Sequence, residues 1–480
     1  MNIKAPPGVF DILPIDPKTP WKESHLWIYV EKVIRETAAQ YGFQEIRTPI
    51  LEKTELFQRG VGETSDIVSK EMYMFNDRGG RSLCLRPEGT APVIRSYIEN
   101  NLSHQVPIHK FFYIGPMFRY ERAQAGRYRQ HHQFGAEVIG TQAPEQDAEV
   151  IDLLYTTYRK LGLQNLKVMI NSLGDKECRL HFRHALKEYF SQHKKHLSEE
   201  SRQRLDKNPL RILDSKSPQD QEFIEKAPSI LDFLSHEVKT HFERVQEYLT
   251  FLEIPFAINP HLVRGLDYYN RTVFEVAAEE LGAQNSIGGG GRYDSLIKEL
   301  GGPDQPALGF GTGIERIIQT LLKQEAPVPS AYRPTFFLIP LGEKAKRACF
   351  KVLHFLRENS IDAQMDFTGR KLGKVMGYAN QIGAKFVAVV GDQELETETV
   401  ELKNMETGEA ISAPLYHLSR ILRIESAGED LIRMWADFNT PFKEPLEAKF
   451  FHDKIKSSID HTKKLTKELQ DAMEKMESFL

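Results

Sequence analysis

Cysteine is scarce: Cys84, Cys178 and Cys349 are the only three in 480 residues, and no two form a CxxC pair. That spacing supplies neither a disulfide framework nor a thiolate metal site, and it fits a reducing compartment, so a cytoplasmic protein is expected. No stretch approaches the ~20 consecutive apolar residues of a membrane span. The opening MNIKAPPGVF has no apolar core of the kind signal peptides carry, so no membrane partner is expected. A dominant charge is missing too. Lys and Arg number 63 against 67 Asp and Glu, a net charge of −4. Nothing therefore draws the whole chain to nucleic acid, and any such contact must rest on local basic patches. A Walker Lys-Ser/Thr and a GxGxxG spacing are also absent, so the four glycines at 288–291 are a weak phosphate-loop signal. What remains is an ordinary globular composition, 40% hydrophobic and 27% charged, in a chain long enough for about three domains.

The informative stretch is 111–140, FFYIGPMFRYERAQAGRYRQHHQFGAEVIG. It reads as a long β-hairpin with strands near 111–117 and 134–139 and an arginine-dense loop between them. Alternation puts Phe134, Ala136 and Val138 on one face and Gln133, Gly135 and Glu137 on the other, while Arg119 and Glu121 share a face of the outgoing strand. Glycine between Gln133 and Glu137 leaves room for something to lie against the backbone. Arg119, Arg122, Arg127 and Arg129 fall within eleven residues. Singly they suit a solvated rim; together they suit a polyanion clamp, because guanidinium forks bind phosphate oxygens bidentately.

Thr19 before Pro20 reads as the cap and first residue of a helix that Gly42 ends. FQEIRTPIL at 43–51 follows as a strand broken by Pro49. A turn at 77–80 precedes a strand that runs into LRPEGT and a helix to about Glu99. Glu88 and Thr90 thus stand where strand meets helix, as capping residues or as acceptors for an ammonium. Helix at 144–161 and strand at 166–173 lead into a polar helical segment, about 175–251. LVRGLDYYNRTVFEV at 262–276 gathers Arg264, Asp267, Tyr268 and Tyr269 ahead of a strand. The glycines at 288–291 permit close backbone approach or positive φ. ALGFGTGIERIIQTLL then gives a buried strand and a helix whose first turn carries Arg316. A proline-rich linker, 326–334, separates an alternating strand–helix region consistent with a largely parallel sheet. Beyond about 425, the positions Ile459, Leu465, Leu469, Met473 and Met476 make an amphipathic pattern.

Taken in order, LRPEGT, FRYE…GRYRQ, LVRGLDYYNRT, GGGGRYD and GFGTGIER resemble the motifs of class II aminoacyl-tRNA synthetases, specifically the histidyl-tRNA synthetase family, over about residues 5–425. The resemblance implies an α/β protein: an α+β catalytic domain (1–325) on a mostly antiparallel sheet with a helical insertion (about 175–251), the 326–334 linker, and an α/β anticodon-binding domain (335–425). A helical extension (426–480) is left without a role. It implies ATP as substrate with Mg²⁺, L-histidine and tRNA(His) as partners, a homodimer, no DNA, and no metal site of protein side chains. Arg119 and Arg264 would be catalytic at the α-phosphate. Glu88, Thr90, Gln133, Glu137, Tyr268 and Tyr269 would hold histidine, and Arg119, Glu121, Arg127, Arg264 and Arg316 the nucleotide. Arg122 and Gln124 would meet the tRNA acceptor end, where Ala123 and Ala125 replace the family's more usual proline and lysine. A related alternative is the non-catalytic regulatory subunit of ATP phosphoribosyltransferase, which generally lacks the anticodon domain and loses motif residues.

Overall fold

Pro20 supports only a single 3-10 turn, Pro20–Lys22, and the first helix, α1 (Ser24–Gln40), starts after Glu23. Thr19 does not cap that helix; its hydroxyl donates to Asp16 Oδ2 at 3.0 Å instead. In the computed structural model the chain is described over residues 3–415 except 17, 63–66, 122–127 and 279–285, and at 418, 419, 421 and 422. Gly42 follows α1 with φ +77°, a left-handed turn that glycine adopts without steric cost. The strand expected at 43–51 comes in two pieces, β1 (Gln44–Glu45) and β2 (Leu51–Lys53). Pro49 has no N–H for a ladder, so the pairing breaks there and the two pieces join different sheets.

The first unit, Met1–Ala331, continues with α2 (Thr54–Val61), β3 (Met74–Asn76), β4 (Ser82–Leu85) and α3 (Thr90–Glu99). The hairpin is β5 (His109–Phe118) and β6 (Gln130–Ile139), each longer than the alternation alone indicated. Then come α4 (Pro144–Lys160), β7 (Leu166–Ser172), α5 (Lys176–Gln192), α6 (Glu199–Lys207), α7 (Pro218–Glu225) and α8 (His236–Phe251). β8 (Phe256–Ile258), β9 (Asn270–Ala278), β10 (Ser286–Arg292), α9 (Leu296–Glu299), β11 (Ala307–Gly313) and α10 (Ile314–Lys323) complete it.

Eight strands form one sheet in the order β1-β5-β6-β11-β10-β9-β7-β8. Only the outermost pairs, β1 with β5 and β7 with β8, are parallel. β2, β4 and β3 make a separate small sheet. The back of the large sheet supplies Phe134, Ala136 and Val138 from β6, Phe274 and Val276 from β9, and Leu308 and Phe310 from β11 to a core shared with α1, α4, α8 and α10. Full burial of each large side chain there contributes about 1.5–3 kcal/mol. The helical segment does not behave as one piece. α5 to α7 bury Phe182, Leu186, Phe190 and Leu205 in a core of their own. α8 returns Phe242, Val245 and Leu249 to the principal core, so the self-contained lobe stops before it.

Arg292 ends β10 wholly buried. Its Nε donates to Asp147 Oδ2 at 3.0 Å and its Nη1 to the carbonyl of Thr141 at 3.0 Å, while His241 Nε2 meets the same Asp147 oxygen at 2.8 Å. Burial would raise the Asp147 pKa, but the Arg292 charge outweighs it and holds the carboxyl below its ordinary range. This ionic cluster fixes the end of β10 to α4 and α8.

The second unit, Tyr332–Leu480, contains β12 (Phe336–Pro340), α11 (Glu343–Glu358), β13 (Ala363–Met365), α12 (Leu372–Gln381), β14 (Phe386–Val390), α13 (Asp392–Thr397), β15 (Thr399–Asn404) and β16 (Ala410–Pro414). Its sheet runs β13-β12-β14-β15-β16. The first three strands are parallel as expected; β15 and β16 add an antiparallel edge that the strand–helix alternation did not signal. The expected 426–480 extension lies outside the described residues. No helix among the described residues is long and apolar enough to cross a membrane.

Candidate active site

The front of the large sheet is floored by glycine at its centre. One cross-strand row reads Tyr113, Gly135, Gly311, Gly289, Glu275; the next reads Phe111, Glu137, Gly309, Gly291, Val273. Neighbouring strands are spaced about 4.8 Å apart, so the three glycines of the first row span roughly 10 Å, and Tyr113, Gln133 and Arg264 lie over them. The glycines are there for close approach, not for positive φ: all lie in regular strands, and the chain's positive-φ glycines are elsewhere. A Cβ on Gly309 would run into the Glu137 carboxylate and the Ala136 carbonyl, and one on Gly311 would run into the Gln133 amide. A Cβ on Gly289 would stand 3.0 Å from Arg264 Nη1.

At one end of this floor sits a pocket of carboxylates and phenols. Glu137, entirely buried, accepts from the Thr90 hydroxyl at 2.7 Å, from Tyr293 OH, and from Tyr113 OH at 3.4 Å. Gln133 Nε2 donates to Tyr113 OH at 3.3 Å. Glu88, also buried, accepts from the backbone N–H groups of Thr90 (2.7 Å) and Ala91 (3.0 Å), so it caps α3. Burial pushes the Glu88 carboxyl up. Burial likewise pushes Glu137 up to about 8, with its neighbour Glu88 adding in the same direction. Tyr268 and Tyr269 close the pocket with ring centroids 4.6 Å apart, and Tyr268 lies 5.4 Å from Tyr293.

At the other end Arg264 pairs with Glu275 and stands over the Tyr269 ring at 6.0 Å. Burial works against its charge, but Glu275 raises its pKa above the ordinary value. Its Nε is buried with no hydrogen-bond partner among the described residues. Arg119, one residue past β5, anchors Nε on the Pro87 carbonyl at 2.8 Å and lies 3.9 Å from Glu121 Oε1; its charge opposes the upward shift of Glu88. Arg316, in the first turn of α10, bonds the Ser286 carbonyl at the start of β10. Arg122, Gln124 and Arg127 lie outside the described residues. Between the α5–α7 lobe and this end a cavity of about 740 Å³ opens, with Arg179, Arg183, Arg211, Arg264 and Tyr269 in its lining. Arg179 reaches from the lobe to the Tyr269 carbonyl at 2.8 Å.

A family model described as histidyl-tRNA synthetase matches residues 22–317, and one described as anticodon binding domain matches 335–424. A protein named histidine–tRNA ligase from Protochlamydia amoebophila is 60% identical over 423 residues, 88% of this chain and all of that one. The chain belongs to the histidyl-tRNA synthetase family. A second relative of that name, from Halothermothrix orenii, is 48% identical over 87% of this chain and 98% of its own. Among solved structures, apo histidyl-tRNA synthetase of Staphylococcus aureus superposes with a TM-score of 0.74 at 38% identity, covering 88% of this chain and all of that one.

Three residues of this histidyl-tRNA synthetase site carried no role in the sequence reading. Tyr113 lies flush against Gly89 and Gly135, Tyr293 bonds Glu137, and Glu275 holds Arg264. Two had a signal. Alternation from Arg119 back through 117 and 115 reaches Tyr113, and alternation from Gly289 through Gly291 reaches Tyr293. Glu275 had none until the β9–β10 register was known.

The floor makes a prediction. In Gly311→Ala the atoms nearest the new methyl all belong to the Gln133 side chain, which can swing away, so melting should shift by only a few degrees. Gln133 is displaced and the floor is raised, so KM for histidine should rise at least about tenfold, the scale of one misplaced contact. Steady-state kinetics beside a melting curve checks both.

Proposed function

We propose that the protein is a histidine–tRNA ligase. The L-histidine carboxylate attacks the α-phosphorus of ATP, the bond to the β-phosphate oxygen breaks, and pyrophosphate leaves. The 3′-terminal ribose hydroxyl of tRNA(His) then attacks the histidyl carbonyl and AMP leaves. The observation that carries this reading is the glycine floor itself. It lies between a pocket of Glu137 and phenols, suited to a ring N–H, and the Arg264 guanidinium, suited to a phosphate.

The substrate carboxylate is already a nucleophile, so the chain's contribution is placement and neutralisation of charge. Glu88 and Gln133 orient the α-amino group. Thr90 helps, and through its bond to Glu137 it ties the amino pocket to the ring pocket. Glu137 accepts an imidazole N–H, with Tyr269 at the other ring nitrogen and Tyr268 packing beside it. Arg119 bridges the substrate carboxylate and the α-phosphate, and Arg264 meets the α-phosphate from the opposite side. Arg127 and Arg316 take the outer phosphates, and Glu121 helps place adenine. Mg²⁺ would accompany those phosphates and supply further neutralisation of their charge. Arg122 and Gln124 meet the acceptor end, which approaches through the arginine-lined cavity beneath the lobe. Two copies pair across the outer face of the small sheet, where Leu51 and Phe75 are 50% and 43% exposed, and the dimer works in the cytoplasm.

Charging of total tRNA with each amino acid in turn tests the reading. Histidine alone should be esterified. Charging by another amino acid would overturn the specificity, and no charging at all would favour the regulatory-subunit alternative.

A further inference from the structure

The chain between β8 and β9, residues 259–269, contains neither helix nor strand, yet it carries Arg264, Tyr268 and Tyr269. Such a segment keeps a reactive geometry only as well as its lateral contacts hold it. Its first half is fixed from within the large sheet. Asn171 on β7, wholly buried, donates Nδ2 to the carbonyls of Pro260 at 3.2 Å and Leu262 at 3.0 Å. Its second half is fixed from the α5–α7 lobe. Arg211 Nη2 donates to the Gly265 carbonyl at 3.2 Å and to Asp267 Oδ1 at 3.3 Å. Asn208 Nδ2 donates to the same Asp267 oxygen at 3.3 Å. With Arg179 on the Tyr269 carbonyl, the lobe grips the segment at 265, 267 and 269.

The grip comes from a firm corner of the lobe. Asn208 follows α6, and Arg211 lies in the 3-10 turn Pro209–Ile212. Leu205 before that corner and Ile212 at its end are buried in the lobe's own core, so the two donors are presented by packed backbone. Asp267 is confined from the opposite side: a Cβ on Gly62, just past α2, would stand 2.9 Å from its Oδ2. Val263 packs against the lobe core and the pocket core alike. The lobe begins after Gly174 and ends at Ser235, whose N–H donates to Cys178 Sγ at 3.3 Å. Its entry and exit are thus side by side, and any tilt about them is passed through Arg211 and Asn208 to the gripped segment. Glu275 holds the head of Arg264 from β9, but the backbone one residue beyond is set by the lobe.

We propose that Asn208 and Arg211 are positioning residues for the activation step. Through the Gly265 carbonyl and the Asp267 carboxylate they set the backbone that carries Arg264 and Tyr269, so activation depends on the lobe even when no tRNA is bound. The proposal rests on the reading of the chain as a histidine–tRNA ligase with Arg264 at the α-phosphate.

Histidine-dependent pyrophosphate exchange by the full chain, measured without tRNA, tests it, because the lobe then has no acceptor end to hold. Arg211→Ala should lower kcat by about 10²-fold, the effect of misplacing a reacting group by about 1 Å. The loss should fall on kcat more than on KM, since Arg264 acts on charge that develops during the reaction. Melting should move by only a few degrees, because the lobe keeps its core. Asn208→Ala, which leaves Arg211 in place, should lower kcat in the same direction by a smaller factor. In an Arg264→Ala background, Arg211→Ala should cost nothing further, a non-additivity that general loosening of the fold would not give. Exchange in Arg211→Ala equal to that of the unmodified chain, a loss carried by KM alone, or an undiminished further loss in the Arg264→Ala background would each overturn the proposal. Absence of histidine-dependent exchange in the unmodified chain would overturn the ligase reading, and the proposal with it.

Discussion

Replacing Arg264 by alanine should cut histidine-dependent exchange of pyrophosphate into ATP by about 10³-fold or more, the loss typical of removing one preorganised donor at developing charge. Nη1 is engaged by Glu275, while Nε is buried without a hydrogen-bond partner among the described residues. The ion pair is partly exposed, at 20% and 29%, so its loss should lower stability by only about 1 kcal/mol. A rate effect several times larger in free energy than the stability effect would separate a role at the phosphate from a role in folding. Arg264→Ala/Glu275→Gln should be as inactive as the single variant, showing that the defect is not a stranded carboxylate. Arg264→Lys should also be poor, because an ammonium cannot reproduce the planar fork. Exchange near the wild-type rate in Arg264→Ala would remove the α-phosphate role.

Glu137→Gln should raise KM for histidine by about 10²-fold, equivalent to roughly 2.7 kcal/mol, the scale of losing a charge-assisted bond in a buried site. The pH dependence gives the sharper signature. With its pKa pushed up to about 8 by burial, Glu137 is mostly protonated at pH 7 before histidine enters. Accepting the ring N–H, with an ammonium nearby, favours the carboxylate, so binding at pH 7 should release close to one proton. Calorimetry in buffers of different ionisation heat reads this directly, and the release should vanish in Glu137→Gln. The sign for stability follows. A carboxyl whose folded-state pKa is raised contributes stability that is complete below its unfolded value near 4.5 and lost as pH rises through about 8. The ligand-free protein should therefore weaken across that window, and the melting shift given by histidine should grow between pH 7 and 8. A histidine-induced shift independent of pH, or no proton release, would mean that Glu137 does not meet the ring.

Alternation carried the sequence reading a long way. Gln133, Gly135 and Glu137 do share the front face, and Phe134, Ala136 and Val138 do enter the core. Those are period-two statements that local sterics dictate. What escaped were contacts set by register between distant strands. Glu275 faces Arg264 only because β9 and β10 pair with Gly289 opposite Glu275, and no local pattern encodes that choice. The division of 43–51 into two strands was half visible: Pro49 announced a break but not that the halves would join separate sheets. Thr19 misled because a residue able to cap a helix can equally close a turn on a neighbouring aspartate. The helical lobe was legible as composition, but α8 joins the principal core through side chains whose spacing resembles that of α5 to α7.

A surface stripped of side chains gives up every contact those side chains could have made. The middle strands of the sheet, β11 and β10, thus bring only backbone of their own to the floor, and its height is set by their ladder bonds, by Phe310, Phe274 and Phe134 behind and by the borrowed side chains of Gln133 and Glu137 in front. Precision at the front consequently depends in part on hydrocarbon that no substrate ever touches, and wear at the rear of the sheet will register first as clumsy chemistry.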